Sequence, residues 1–334
     1  MTTRIYLDHA ATTPMRREAI AAVAEGMARW ANPSSPHAEG RAARRALEDA
    51  RARIARALGW NGEVILTSGA SEALAIALRG YDAVASGVEH DAVLRIAGDG
   101  RLPVGSDGLV DVAQVPAGRR VAVQSANSET GVLQPLAEIA ARAGVLVADC
   151  SQSAGKLDLP SADLIVVSAH KLGGPPGIGA LLVRDFALLT PTGGQEQGYR
   201  GGTENLPGAL GFAAALEAPR DWVARAAVLR ADLDTKIRAG GGEVVGDASP
   251  RIATVGAYRL PGRSAAAQLM RLDSAGFAVS AGSACSSGTL KTSHVLSAMG
   301  MDAKAASEVI RVSFGWNTTA AEVDAFAAAW SAMA

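Results

Sequence analysis

Residues 164–177 read Leu-Ile-Val-Val-Ser-Ala-His-Lys-Leu-Gly-Gly-Pro-Pro-Gly. The first four are apolar on both parities, which suits a strand covered on both faces, as in a parallel sheet. The run then turns polar at Ser168, His170 and Lys171 before a glycine–proline segment. A lysine hemmed between an apolar strand and such a segment is out of place as a solvated surface group. Desolvation lowers the pKa of an amine and lets it form an imine with an aldehyde. The chain has only five lysines, at 156, 171, 236, 291 and 304, so few others compete for that role.

The same pattern recurs outward from this stretch. Val64-Ile65-Leu66 runs into Thr67-Ser68-Gly69-Ala70-Ser71-Glu72, and Val121-Ala122-Val123 into Asn127-Ser128-Glu129. Val145-Leu146-Val147 ends at Asp149, with Gln152 three residues on, and Ala180-Leu181-Leu182-Val183 forms a further apolar run. Helical patterns at Ser71–Leu78 and Leu136–Ala143 lie between these runs. Alternation of strand and helix predicts an α/β sheet covered by helices. In open sheets of that kind ligands bind at the carboxyl ends of the strands. Four strands thus deliver polar groups to one edge.

Each polar group has an ordinary reading beside a functional one. Gly69-Ala70-Ser71 reads as a turn and helix cap, or as a phosphate site made by helix N-terminal amides and a hydroxyl. Asp149 reads as a cap or ion-pair partner, or as a carboxylate holding a pyridine nitrogen protonated. Ser168 and His170 are phosphate contacts or plain strand-end polar groups, and His90 is a structural histidine or a catalyst. Arg311 is a surface ion-pair residue or, by its planar fork, a carboxylate binder. Cys150 reads as a small buried residue, inert by burial. Cys285, within Ser280-Ala281-Gly282-Ser283-Ala284-Cys285-Ser286-Ser287-Gly288, sits among small flexible residues that present a thiol rather than bury it.

Composition narrows the class. The 334 residues are 49% hydrophobic and 19% charged, with a net charge of −1, the profile of a globular protein. Nothing there favours nucleic acid or an acidic membrane surface. The N-terminus lacks a signal pattern and no apolar stretch suits a membrane span, so a cytoplasmic location is expected. Two cysteines without a CxxC pair argue against a disulfide framework, and five scattered histidines against a metal site. A long helical stretch, Asp221–Ala239, ends at Gly240-Gly241-Gly242. Strand-like runs then follow at Glu243–Val245, Arg251–Val255 and Val309–Ser313. We therefore expect a large domain over 15–242 and a smaller one built from 1–14 with 243–334.

Taken in order, LDHAATTP (7–14), NPSSPHAEG (32–40), TSGASEA (67–73), VEHDAV (88–93), NSETGVLQP (127–135), ADCSQSAGK (148–156), SAHKLGGPPGIGALLV (168–183), GGQEQGYRGGTEN (193–205), SAGSACSSG (280–288) and RVSFGWNTT (311–319) resemble the cysteine desulfurases of the class V aminotransferase family. These motifs span nearly the whole chain. The resemblance implies a fold like that of aspartate aminotransferase: a large domain with a mainly parallel sheet, plus a smaller α/β domain. It implies pyridoxal 5'-phosphate (PLP) on Lys171, His90 stacked on its ring and moving protons, Asp149 on the pyridine nitrogen and Gln152 on the ring oxygen. Ala70, Ser71, Ser168 and His170 would hold the phosphate, and Thr203 would reach the phosphate of the other subunit of a homodimer. Asn32 and Arg311 would bind the substrate carboxylate. L-cysteine would become L-alanine, with its sulfur taken by Cys285 as a persulfide and passed to an acceptor protein for iron–sulfur cluster or thio-cofactor assembly. The chain departs from the family pattern at Ser128, where an asparagine with a cofactor or substrate contact is usual, at Ser71 for threonine, and at Pro176-Gly177 for Lys-Gly. A related lyase or aminotransferase, such as one acting on selenocysteine, and a weakly catalytic regulatory paralogue are the alternatives. Cys285 argues against a transaminase, and Lys171, Asp149, His90 and Cys285 together argue against a non-catalytic chain.

Overall fold

The computed structural model describes residues 4–282 and 292–333. Twelve strands and eleven α-helices lie within them. The first part of the chain gives β1 (Ile5–Tyr6), α1 (Arg17–Ala28), α2 (Ala38–Leu58), β2 (Glu63–Thr67), α3 (Ala70–Leu78), β3 (Ala83–Ser86), α4 (Asp91–Leu94), β4 (Arg101–Leu102) and β5 (Arg120–Gln124). Then come α5 (Leu136–Ala140), β6 (Val145–Asp149), β7 (Leu164–Ser168), β8 (Gly179–Val183), α6 (Leu206–Glu217) and α7 (Trp222–Ala239). The last part holds β9 (Glu243–Val245), β10 (Val255–Arg259), α8 (Ala265–Ser274), β11 (Phe277–Ala278), α9 (His294–Ala298), α10 (Ala303–Ala306), β12 (Val309–Ser313) and α11 (Ala320–Ser331).

Seven strands form the main sheet in the order β2-β8-β7-β6-β5-β3-β4. Neighbours from β7 to β4 pair in parallel, whereas β8 runs antiparallel to both β7 and β2. The run Ala180–Val183 therefore joins the sheet reversed: only a short glycine–proline link separates it from β7, too little for the crossover that a parallel neighbour needs. Alternate residues of the central strands feed two separate cores. Val121, Val123, Ile165, Val167 and Leu182 pack on one side; Ala122, Leu164, Val166, Leu181 and Val183 pack on the other. Burial on both faces is why these strands are apolar at every position.

A second core lies beyond the sheet. β12, β10 and β9 form a three-stranded antiparallel sheet, and β1 pairs in parallel with β11. Tyr258, Ile310, Val312, Phe326 and Trp330 fill that core. The strand expected at 251–255 begins only at Val255, because Ile252 turns into a small cluster with Ala10 and Ala126. Arg251 instead ion-pairs with buried Asp234 at 2.7 Å. Helix α7 also differs from its expected place within 15–242. Its apolar face, Trp222, Ala226, Leu229, Leu233 and Ile237, packs into the second core. Gly240-Gly241-Gly242 marks the end of a helix, and a helix end need not coincide with the edge of a core. The N-terminal segment serves both parts: β1 joins β11, while Thr13 N donates to the His170 carbonyl at 2.9 Å.

Candidate active site

The carboxyl ends of β2, β5, β6 and β7 open onto a cavity of about 570 Å³, within the usual range for small-molecule sites. Ala70, Ser71, His90, Ser128, Asp149, Gln152, Ser168, His170, Lys171 and Arg311 all line it. Asn32 and Thr203 do not; both are exposed, and Asn32 Oδ1 accepts from its own neighbour Ser34 N at 2.8 Å. Cys285 lies outside the described residues.

Lys171 ends a short 3₁₀ turn that follows β7. Its Nζ donates to the carbonyls of Ala10 at 2.6 Å and Ala11 at 2.8 Å. Gln152 Nε2 also donates to the Ala10 carbonyl at 2.9 Å, while its Oε1 is buried with no hydrogen-bond partner. Nothing in the sequence marks Ala10 and Ala11 for this role, since main-chain carbonyls carry no side-chain signature. Asp149, the last residue of β6, is buried, and its Oδ1 accepts from Ser151 N at 2.8 Å.

Opposite these groups stands the N-terminus of α3. Gly69 precedes it with φ +149°, a conformation that favours glycine, and Gly179 of β8 packs closely against it. Orphan amides at such a helix start attract anions. Ser168 and His170 border the same cavity. His170 Nδ1 lies 3.1 Å from Thr12 Oγ1, and burial, helped by the Lys171 charge, pushes its pKa down to about 4. His170 is therefore neutral across the physiological range.

His90 caps α4: its Nδ1 accepts from Ala92 N at 3.1 Å. That bond requires an unprotonated Nδ1 and assigns the ring proton to Nε2. Burial lowers the His90 pKa, with Asp149 opposing and Lys171 reinforcing the shift. Just before it, Glu89 is fully buried, accepts from Ser86 Oγ and from Gln124 N at 2.9 Å, and has its other oxygen unpartnered. Burial pushes its pKa up to about 8, so Glu89 is largely neutral at pH 7. Sequence reasoning missed Glu89; an acid wedged between Val88 and His90 was the available signal.

Past the strand end of β5, Glu129 is buried and accepts from Ser293 Oγ at 2.6 Å; burial raises its pKa. His294 Nε2 donates to the Glu89 carbonyl at 2.8 Å. Residues 293 and 294 are thus fastened to Glu129 and Glu89, the immediate neighbours of Ser128 and His90 in the cavity wall. Cys150, fully buried beside Asp149, has its thiol pKa pushed up to about 12 and is unsuited to be a nucleophile.

The sequence model described as class-V aminotransferase matches residues 5–326, and the chain belongs to that family. It is 37% identical to a cysteine desulfurase from Cereibacter sphaeroides over 96% of this chain and 93% of that protein. Among solved structures, a NifS-like protein from Rickettsia africae superposes with a TM-score of 0.90 at 29% identity, covering 99% of both chains. SspA, solved in complex with cysteine, superposes with a TM-score of 0.81 at 28% identity, covering 93% of this chain and 99% of that one. The α/β architecture is that of the PLP-dependent transferase fold.

Proposed function

We propose that this chain is a PLP-dependent cysteine desulfurase that converts L-cysteine to L-alanine and receives the sulfur on Cys285. The observation that carries the reading is convergence: an amine (Lys171), a buried carboxylate (Asp149) and a helix start suited to an anion (α3) face one cavity. Those three groups match the aldehyde, the ring nitrogen and the phosphate of PLP. Gln152, whose buried Oε1 has no hydrogen-bond partner, lines the same cavity.

When bound, PLP supplies an electron sink for bond cleavage at the substrate's α-carbon. Lys171 would hold the cofactor, and its amine, oriented by the Ala10 and Ala11 carbonyls, is placed to act as the base at the substrate Cα. His90, neutral and carrying its proton on Nε2, is suited to stack on the ring and to move a proton. Asp149 keeps the ring nitrogen protonated, and the α3 amides with Ser71, Ser168 and His170 hold the phosphate. Ser128 stands where the family usually has asparagine; its carbonyl accepts from Arg311 Nη1 at 3.0 Å. Arg311 binds the substrate carboxylate. The Cys285 thiolate then attacks the substrate sulfur. An S–S bond forms as the Cβ–S bond breaks, and the carbon keeps that electron pair, is protonated and leaves as alanine.

Thr203, exposed and away from its own cavity, is assigned to the partner's phosphate in a homodimer, and exposed Asn32 to a substrate contact made on assembly. An acceptor protein takes the persulfide sulfur onward. Purified protein given L-cysteine and a thiol reductant should yield sulfide and alanine in equal amounts. Cys285→Ala should abolish both; full activity in that variant would overturn the persulfide step.

A further inference from the structure

The segment 193–205 is more tightly fastened than an exposed strap requires. Glu196 and Gln197 both have positive φ, 50° and 58°, which side-chain-bearing residues adopt only when their surroundings impose it. Glu196 is buried and binds Arg51 through both oxygens, at 2.6 and 3.0 Å. It also accepts from Leu66 N at 2.8 Å, while Arg51 donates to the Val64 carbonyl at 2.8 Å. Strand β2 is the edge of the main sheet, so this pair caps its otherwise open side.

Four residues on, Arg200 reaches in two directions. Its Nε donates to Glu72 Oε2 at 3.1 Å, and its Nη1 to the Gly202 carbonyl at 3.4 Å. Glu72 lies in the first turn of α3 and also accepts from Ser68 N, so it belongs to the helix start that borders the cavity. Gly202 immediately precedes exposed Thr203. On the far side Asn205 Nδ2 donates to the Gly177 carbonyl at 3.2 Å, which anchors the strap again.

We propose that Arg200 is a positioning residue: through Glu72 and Gly202 it ties the phosphate cradle of one subunit to the Thr203 that serves the other. This rests on the reading of Thr203 given above. The two cofactor sites of a dimer are then coupled, because ordering the start of α3 in one subunit orders the strap presented to its partner.

The test is a double-mutant cycle on PLP affinity, read by absorbance titration of the apo-dimer, with sedimentation confirming the dimer. Thr203→Ala and Arg200→Gln should each weaken PLP binding about tenfold, the size of one lost hydrogen bond to a charged group. The double variant should lose clearly less than the product of the two single losses, because part of the effect of Arg200 passes through Thr203 and the rest through Glu72. Losses that multiply to about a hundredfold, or wild-type affinity in Arg200→Gln, would overturn the proposal. Should Arg200→Gln fail to fold, Glu72→Gln in the same cycle reads the pair from its other end. Absence of PLP binding by the wild type would instead sink the cofactor reading, and wild-type affinity in Thr203→Ala would sink the assignment of Thr203 and this proposal with it.

Discussion

Arg311 Nη2 and Asp8 Oδ1 lie 2.7 Å apart, an ion pair between β12 and the N-terminal segment. With Nη1 held by the Ser128 carbonyl, the guanidinium is fixed on two sides, while its buried Nε has no hydrogen-bond partner. A planar fork held this way is preorganised for a carboxylate. Arg311→Lys keeps the charge and loses the fork. It should lower kcat/KM for L-cysteine roughly ten- to a hundredfold, the worth of one charged hydrogen bond. Steady-state kinetics should place most of that loss in KM, with cofactor content unchanged.

Lys171→Ala removes the residue proposed both to hold the cofactor and to act as the base. Alanine formation should fall by roughly two to four orders of magnitude, the usual worth of a positioned acid–base group, or more. Borohydride treatment followed by mass spectrometry should fix PLP covalently on the wild type and leave the variant unmodified.

Gly69→Ala places a side chain at φ +149° beside the α3 N-terminus. Strain of about 1–3 kcal/mol should weaken PLP binding roughly tenfold or more without unfolding the chain. Equilibrium titration of the apo-protein measures it.

Glu89 is an acid whose folded pKa is raised from 4.5 to about 8. The folded state therefore holds a proton that the unfolded state releases between those values. Its contribution to stability is full below pH 4.5 and is lost as pH rises through 8. Glu89→Gln keeps a neutral group of similar shape and abolishes this dependence. Thermal melts at pH 5 and pH 9 should show the variant gaining on the wild type by roughly 5 °C at the higher pH. Parallel curves would show that Glu89 is ionised in the fold.

Cys150 is fully buried, with its thiol pKa pushed up to about 12. Iodoacetamide should leave it unlabelled in the native protein and modify it after denaturation, as peptide mass mapping would reveal. Cys150→Ala should still form a persulfide on incubation with L-cysteine.

The sequence alone carried the central architecture and much of the cavity lining. Apolar runs buried on both faces have no alternation, and polar residues collect where such strands end, so Lys171, Asp149 and Ser168 could be placed on one edge from spacing. The family motifs chose between the two readings that local pattern left open for Ala70, His90 and Arg311. What the local pattern could not hold was any arrangement made by segments distant along the chain. The reversal of β8, the packing of α7 into the second core, and the seating of Lys171 on the Ala10 and Ala11 carbonyls each join such segments. Burial of Glu89 and the bridge from Glu72 through Arg200 to Gly202 were likewise decided by tertiary structure. The reason is physical: periodicity records which way a side chain faces relative to its own strand or helix. A pKa or a hydrogen bond depends on what the rest of the chain brings against it.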